Sequence, residues 1–124
     1  MLFRSTYEAK TLCNSDLLCL TYAGIESQPE LAEILFLASC QRQRQSQSLL
    51  ALMGLKRVED RVKSFLELLA MDYGVPCDQG LRLEPRLTHQ EIANAVGTTR
   101  VTVTRVLGQL RDLGWLTKIG RAHV

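Results

Sequence analysis

The stretch GTTRVTVTRVLGQL, Gly97 to Leu110, decides the fold. Its centre, Val101-Thr102-Val103-Thr104, alternates apolar and polar β-branched residues, the local pattern of a half-buried strand. The apolar set nevertheless continues through Val103, Val106, Leu107 and Leu110, which only a helix gathers on one face. The residues before it resolve the conflict. Thr88-His89-Gln90-Glu91 fits a capping box, in which the threonine hydroxyl accepts from the Glu91 backbone and the glutamate reaches back to Thr88. A short helix, Thr88 to Val96, follows with Ile92, Ala93 and Val96 inward. Gly97 then supplies a sharp turn, and Thr98 or Thr99 caps a second helix over 99–112. Two short helices joined by a tight glycine-containing turn form a helix-turn-helix, in which packing outweighs the weak β preference.

The face of the second helix opposite the apolar set carries Arg100, Val101, Thr104 and Arg105, with Gln109 one turn further on. Arginine bonds bidentately to guanine O6 and N7, and valine and the threonine methyl suit the thymine methyl, so these residue types are what major-groove reading needs. Thr88, His89 and Thr99, at the two helix starts, complete the candidate DNA-binding set. The competing reading is an amphipathic core helix with solvated arginines; His89 reads as a surface residue of a first turn and not as a ligand. Beyond the helix, DLGWLTKIG offers a glycine stop and a short strand, Trp115 to Thr117, that would open a β-hairpin wing, with Trp115 as core packing.

Charge divides along the chain in the same direction. Residues 1–81 hold 8 Lys/Arg against 10 Asp/Glu, whereas residues 82–124 hold 7 against 3. The basic excess sits with the helix-turn-helix, as a polyanion partner requires. The 124 residues, 46% hydrophobic and 23% charged, are ordinary globular material. No apolar run approaches the roughly 20 residues that cross a bilayer, and no leader pattern opens the chain, so a cytoplasmic protein without membrane contact is expected.

Upstream, residues 6–22 read as two strands around Asn14-Ser15 that belong to a larger β structure, because an isolated hairpin is marginal. Ser27 offers an N-cap and Pro29 a first-turn residue for a long helix ending near Gly54. Along it Leu31, Leu35, Ala38, Arg42, Gln45, Leu49 and Leu52 alternate steps of four and three, the seam of a coiled coil. The polar middle, QRQRQSQS, is either a solvated stretch or a seam that sets register or meets a ligand. A further helix spans about Val58 to Tyr73 with Gly74 as a left-handed stop; VPCDQG is turn chemistry and Leu81 to Leu83 a short strand. Cys13, Cys19, Cys40 and Cys77 form no C-x-x-C pair and His89 and His123 have no zinc spacing, so free, mostly buried thiols and no metal are expected. There is no nucleophile–base pair or phosphate loop, and an enzyme is not expected.

The segment LTHQEIANAVGTTRVTVTRVLGQLRDLGWL resembles the winged helix-turn-helix of the Crp/Fnr family of bacterial transcription regulators, and DYGVPCDQG before it is similar to the family's cyanobacterial nitrogen-regulator branch. The resemblance implies a mainly α chain with a small β part. Residues 1–26 would be the terminal strands of a truncated β-roll effector domain, 27–55 the dimerisation helix, and 56–118 the winged helix-turn-helix. It places the base-reading positions on Arg100, Val101 and Arg105; the catabolite-activator branch has a glutamate where Val101 stands, so its cytosine contact is unavailable. It also puts Arg42 and Gln47 where the nitrogen regulators hold 2-oxoglutarate with an arginine and a glutamate, so the arginine is present and the carboxylate is not. Most of the β-roll is absent from the chain, so no cofactor is expected within it. The ending KIGRAHV back-translates to a common sequencing adapter, and 119–124 is read as a non-native tail. The function expected is a dimeric, sequence-specific DNA-binding regulator reading a palindromic site, paired through residues 31–52, with RNA polymerase as the further partner implied. The alternative is a helical dimerisation or protein-interaction module that does not bind DNA.

Overall fold

In the computed structural model, which describes residues 9–83 and 86–117, five helices and one small sheet follow in the order α1 (Tyr22–Glu26), α2 (Pro29–Met53), α3 (Val58–Tyr73), β1 (Gly74–Cys77), β2 (Gly80–Leu83), α4 (His89–Val96) and α5 (Arg100–Asp112). Mainly helical architecture with a small sheet is thus as the sequence implied. The core gathers where four helices meet. Ile92, Ala93 and Val96 of α4 and Val103, Val106, Leu107 and Leu110 of α5 close on Val62, Phe65 and Leu66 of α3 and on Leu52 near the end of α2. Every position assigned to the inner face of the helix-turn-helix is buried. Burying side chains of this size contributes on the order of 1.5 to 3 kcal/mol each, far more than the few tenths that β-branched residues cost a helix.

The carboxyl end of α2 is joined firmly to that core. Arg61 on α3 donates from Nε to the Val96 carbonyl at 3.2 Å and from Nη1 to the Leu55 carbonyl at 3.0 Å, so one guanidinium satisfies carbonyls just past the ends of α2 and at the end of α4. A cation there also suits the negative ends of both helix dipoles. Higher up, Gln45 donates to Asp72 at 2.9 Å. Two positions of the heptad seam, Gln45 and Leu52, are therefore engaged with the rest of the same chain.

Several local expectations are corrected. Residues 9–21 carry no strand, and Leu17 and Leu18 lie exposed, because β propensity makes a ladder only where a second strand and a covering layer are present. The expected segment before residue 9 lies outside the described residues, as does the tail 119–124. Ser27 does not cap α2. Its hydroxyl donates to the Gly24 carbonyl at 3.0 Å to close α1, a short helix not anticipated, and Gln28 precedes Pro29 as the cap without a side-chain bond.

Gly74 ends α3 in extended conformation, not left-handed, and the chain runs directly into β1; glycine is needed because a Cβ there would collide with the Ala70 carbonyl oxygen. Val75 to Cys77 consequently pair with the Leu81 strand, leaving Asp78-Gln79 as the turn. Trp115 to Thr117 form no strand. The N–H groups of Trp115 and Leu116 both donate to the Leu110 carbonyl, at 3.0 and 3.1 Å, and are spent closing α5. Trp115 is partly exposed, with the Lys63 ammonium 5.4 Å from its ring centre. The four cysteines are free, but Cys13 and Cys19 are exposed and Cys40 and Cys77 half-buried, since the strands that would have covered the first two do not form.

Candidate nucleic-acid interface

The capping box forms in full. The Glu91 N–H donates to Thr88 Oγ1 at 3.1 Å while Glu91 Oε2 accepts from the Thr88 N–H at 2.7 Å and its hydroxyl at 2.9 Å. These two bonds, the backbone one first, hold the Glu91 carboxyl below its ordinary value of 4.5. Gly97 ends α4 with φ 66° and ψ 53°, and the Thr98 N–H closes back onto the Ala93 carbonyl at 2.9 Å. This left-handed turn is a glycine position on two counts, because a Cβ would also press to 3.1 Å from Met53 Cε. Thr99 then caps α5 by accepting from the Thr102 N–H at 3.2 Å, with its hydroxyl 2.9 Å from that of Thr102.

With one face of α5 fixed in the core, the other points outward. Arg100, Val101, Thr104, Arg105 and Gln109 are all exposed, Val101 at 79%. Thr88 and Thr99 are exposed at the two helix starts, and both hydroxyls are occupied by capping. His89 is half-buried, with Nδ1 2.8 Å from the Thr104 hydroxyl, so it bridges the two helices and is not the free surface residue its position suggested.

The two arginines differ in how they are held. Among the described residues the Arg100 guanidinium has no hydrogen-bond or ion-pair partner. Arg105 donates from Nη2 to Glu59 Oε1 at 2.9 Å and from Nη1 to Gln109 Oε1 at 3.3 Å. Glu59 escaped the sequence reading because it lies in the first turn of α3, and only the packing of α3 on α5 brings it there. Its carboxyl is lowered from 4.5, first by its own backbone N–H and then by Arg105.

Arg42 and Gln47, the effector pair by resemblance, are both exposed on α2. Five residues apart on a helix, they project about 140° from each other and share no side of it. Among the described residues no group of three or more His, Cys, Asp or Glu could hold a metal ion, and no helix is long and apolar enough to cross a membrane.

A capped pair of short helices around a left-handed glycine, with a basic face left open on the second, defines a helix-turn-helix protein. The family model of the Crp-like helix-turn-helix domain matches residues 60–124, just over half of the chain. The Global nitrogen regulator of Nostoc sp. is 39% identical over 89 residues, 72% of this chain and 40% of that protein. The Regulatory protein CysR of Synechococcus elongatus is 32% identical over 121 residues, 95% of this chain and 55% of that protein. A CRP-like cAMP-activated global transcriptional regulator of Mycobacterium tuberculosis is 33% identical over 98 residues, 79% of this chain and 44% of that protein. The chain belongs to the Crp/Fnr family of transcription regulators and is similar within it to the cyanobacterial global nitrogen regulators. It spans about two fifths of the length of those nitrogen regulators.

Proposed function

We propose that the chain is the DNA-reading part of a dimeric transcription regulator, with α5 entering the major groove and two copies joined along α2 over a palindromic site. The observation that carries this reading is the division of α5. Val103, Val106, Leu107 and Leu110 are locked in the core, so Arg100, Val101 and Arg105 must face outward together, the Arg100 guanidinium without a partner among the described residues. Arginine and a small apolar group on one exposed helical face suit guanine and thymine edges. Thr88, Thr99 and His89 border that face, where helix starts meet phosphates.

The α2 helix supports the dimer by what it leaves uncovered: Ile34, Leu37 and Leu49 remain exposed along it. An acidic small-molecule effector such as 2-oxoglutarate would meet Arg42 on that helix in the intact protein, and RNA polymerase would be the further partner. The test is a salt titration of binding to duplex DNA. Phosphate contacts release counterions, so affinity falls steeply with rising salt for a groove reader, by on the order of 10-fold per contact-charge for each decade of salt. A chain that binds no duplex at any salt yet still self-associates would be the protein-interaction module instead.

A further inference from the structure

The acid beside the recognition face raises a question that the proposed function leaves open. A carboxylate on a surface that meets DNA is repelled by the phosphates, and an exposed ion pair contributes little to stability. Arg105 and Glu59 are indeed exposed, at 52% and 46%. We infer that Glu59 is a positioning residue for base recognition: it tethers Arg105 so that the guanidinium meets base edges and not the neighbouring phosphates. This rests on reading α5 as the recognition helix.

The geometry is that of a tether. Glu59 sits in the first turn of α3, so its backbone is fixed by the helix. Its Oε1 then holds Arg105 Nη2 at 2.9 Å, while Gln109, one turn along α5, takes Nη1 at 3.3 Å. A guanidinium has five N–H donors in a rigid planar fork, so with one acceptor on Nη1 and one on Nη2 its plane is held and three donors remain for a base. An arginine without such partners can swing to a phosphate, which accepts bidentately and carries no sequence information. Arg100 is such an arginine here and serves as the internal reference.

The experiment uses the full chain and a duplex that it selects from a randomised pool, with every single-base-pair variant of that duplex and one unrelated duplex, at fixed salt. Arg105→Ala locates the base pair read by Arg105. Glu59→Asp keeps the charge but withdraws the carboxylate; Glu59→Gln removes the charge. Both are expected to lower discrimination at the Arg105 base pair by about fivefold, part of what a bidentate arginine–guanine pair supplies, and to leave the Arg100 base pair unchanged. Glu59→Gln should also bind the unrelated duplex several-fold more tightly. If Arg105→Ala abolishes a preference that both Glu59 variants retain, the tether is wrong and base reading by Arg105 stands. If Arg105→Ala changes no preference, or no duplex is selected, the recognition reading fails and the tether with it.

Discussion

His89 and Thr104 are joined across the turn between α4 and α5, with Nδ1 2.8 Å from the threonine hydroxyl oxygen. That hydroxyl has one hydrogen, and it goes to the Arg100 carbonyl at 3.0 Å, so His89 must be the donor from Nδ1. The polar end of Thr104 is thereby spent inside the protein, and its methyl is what a groove would meet. Thr104→Val, which keeps the shape, is expected to cost about 1 kcal/mol in urea unfolding and to leave base preference intact. Altered preference in duplex competition would assign the hydroxyl to a base.

Gly97→Ala places a Cβ at φ 66° and against Met53. Left-handed backbone alone costs a non-glycine residue about 1 to 2 kcal/mol. A fall in unfolding free energy of at least that size is expected, with DNA affinity reduced because the angle between α4 and α5 changes.

The capping box gives α4 a dependence on pH. The folded Glu91 carboxyl lies below 4.5, so its stabilisation is complete above that ordinary value and disappears as pH falls through the lowered one. Urea midpoints of the parent chain and Glu91→Gln should therefore differ at neutral pH and converge as pH falls below the lowered value. Thr88→Ala, which removes the cap itself, is expected to cost about 1 kcal/mol near neutrality.

Pairing of two copies along α2 is tested by replacing Leu35 and Leu49 together with Asp. Unpaired charge in an apolar interface costs far more than lost packing. Sedimentation should report half the parent mass, and an unchanged mass would move the interface elsewhere.

Arg100→Ala separates reading from gripping. If Arg100 takes a guanine edge, the substitution relaxes preference at one base pair by about 1 to 3 kcal/mol. Val101 beside it favours a thymine methyl, so the selected half-site should hold a G next to a T. A loss equal on all sequences would make Arg100 a phosphate contact.

The helix-turn-helix was legible because its signals are local: Thr88 and Glu91 stand three apart, Gly97 marks the turn, and the four inward residues of α5 repeat at helical spacing. Where strand propensity misled, over residues 9–21 and Trp115–Thr117, the outcome depended on where backbone N–H groups found partners, which propensity does not contain. The seam on α2 was readable as a pattern, but the sequence could not say that Gln45 would reach Asp72 or that Leu52 would enter the common core. Glu59 was invisible for the same reason, being 46 residues from Arg105.

The Arg61 contacts on the Leu55 and Val96 carbonyls, with Leu52 in the core beside them, have a mechanical meaning. A helix of 25 residues is roughly 37 Å long, so it acts as a rod welded at one end to the reading head. Tilting that rod by about 5° carries its far end some 3 Å, close to the 3.4 Å rise of one base step. If two copies pair along α2 as proposed, a small angular change where the rods cross would be enough to move a pair of reading heads into or out of step with the helical repeat of DNA.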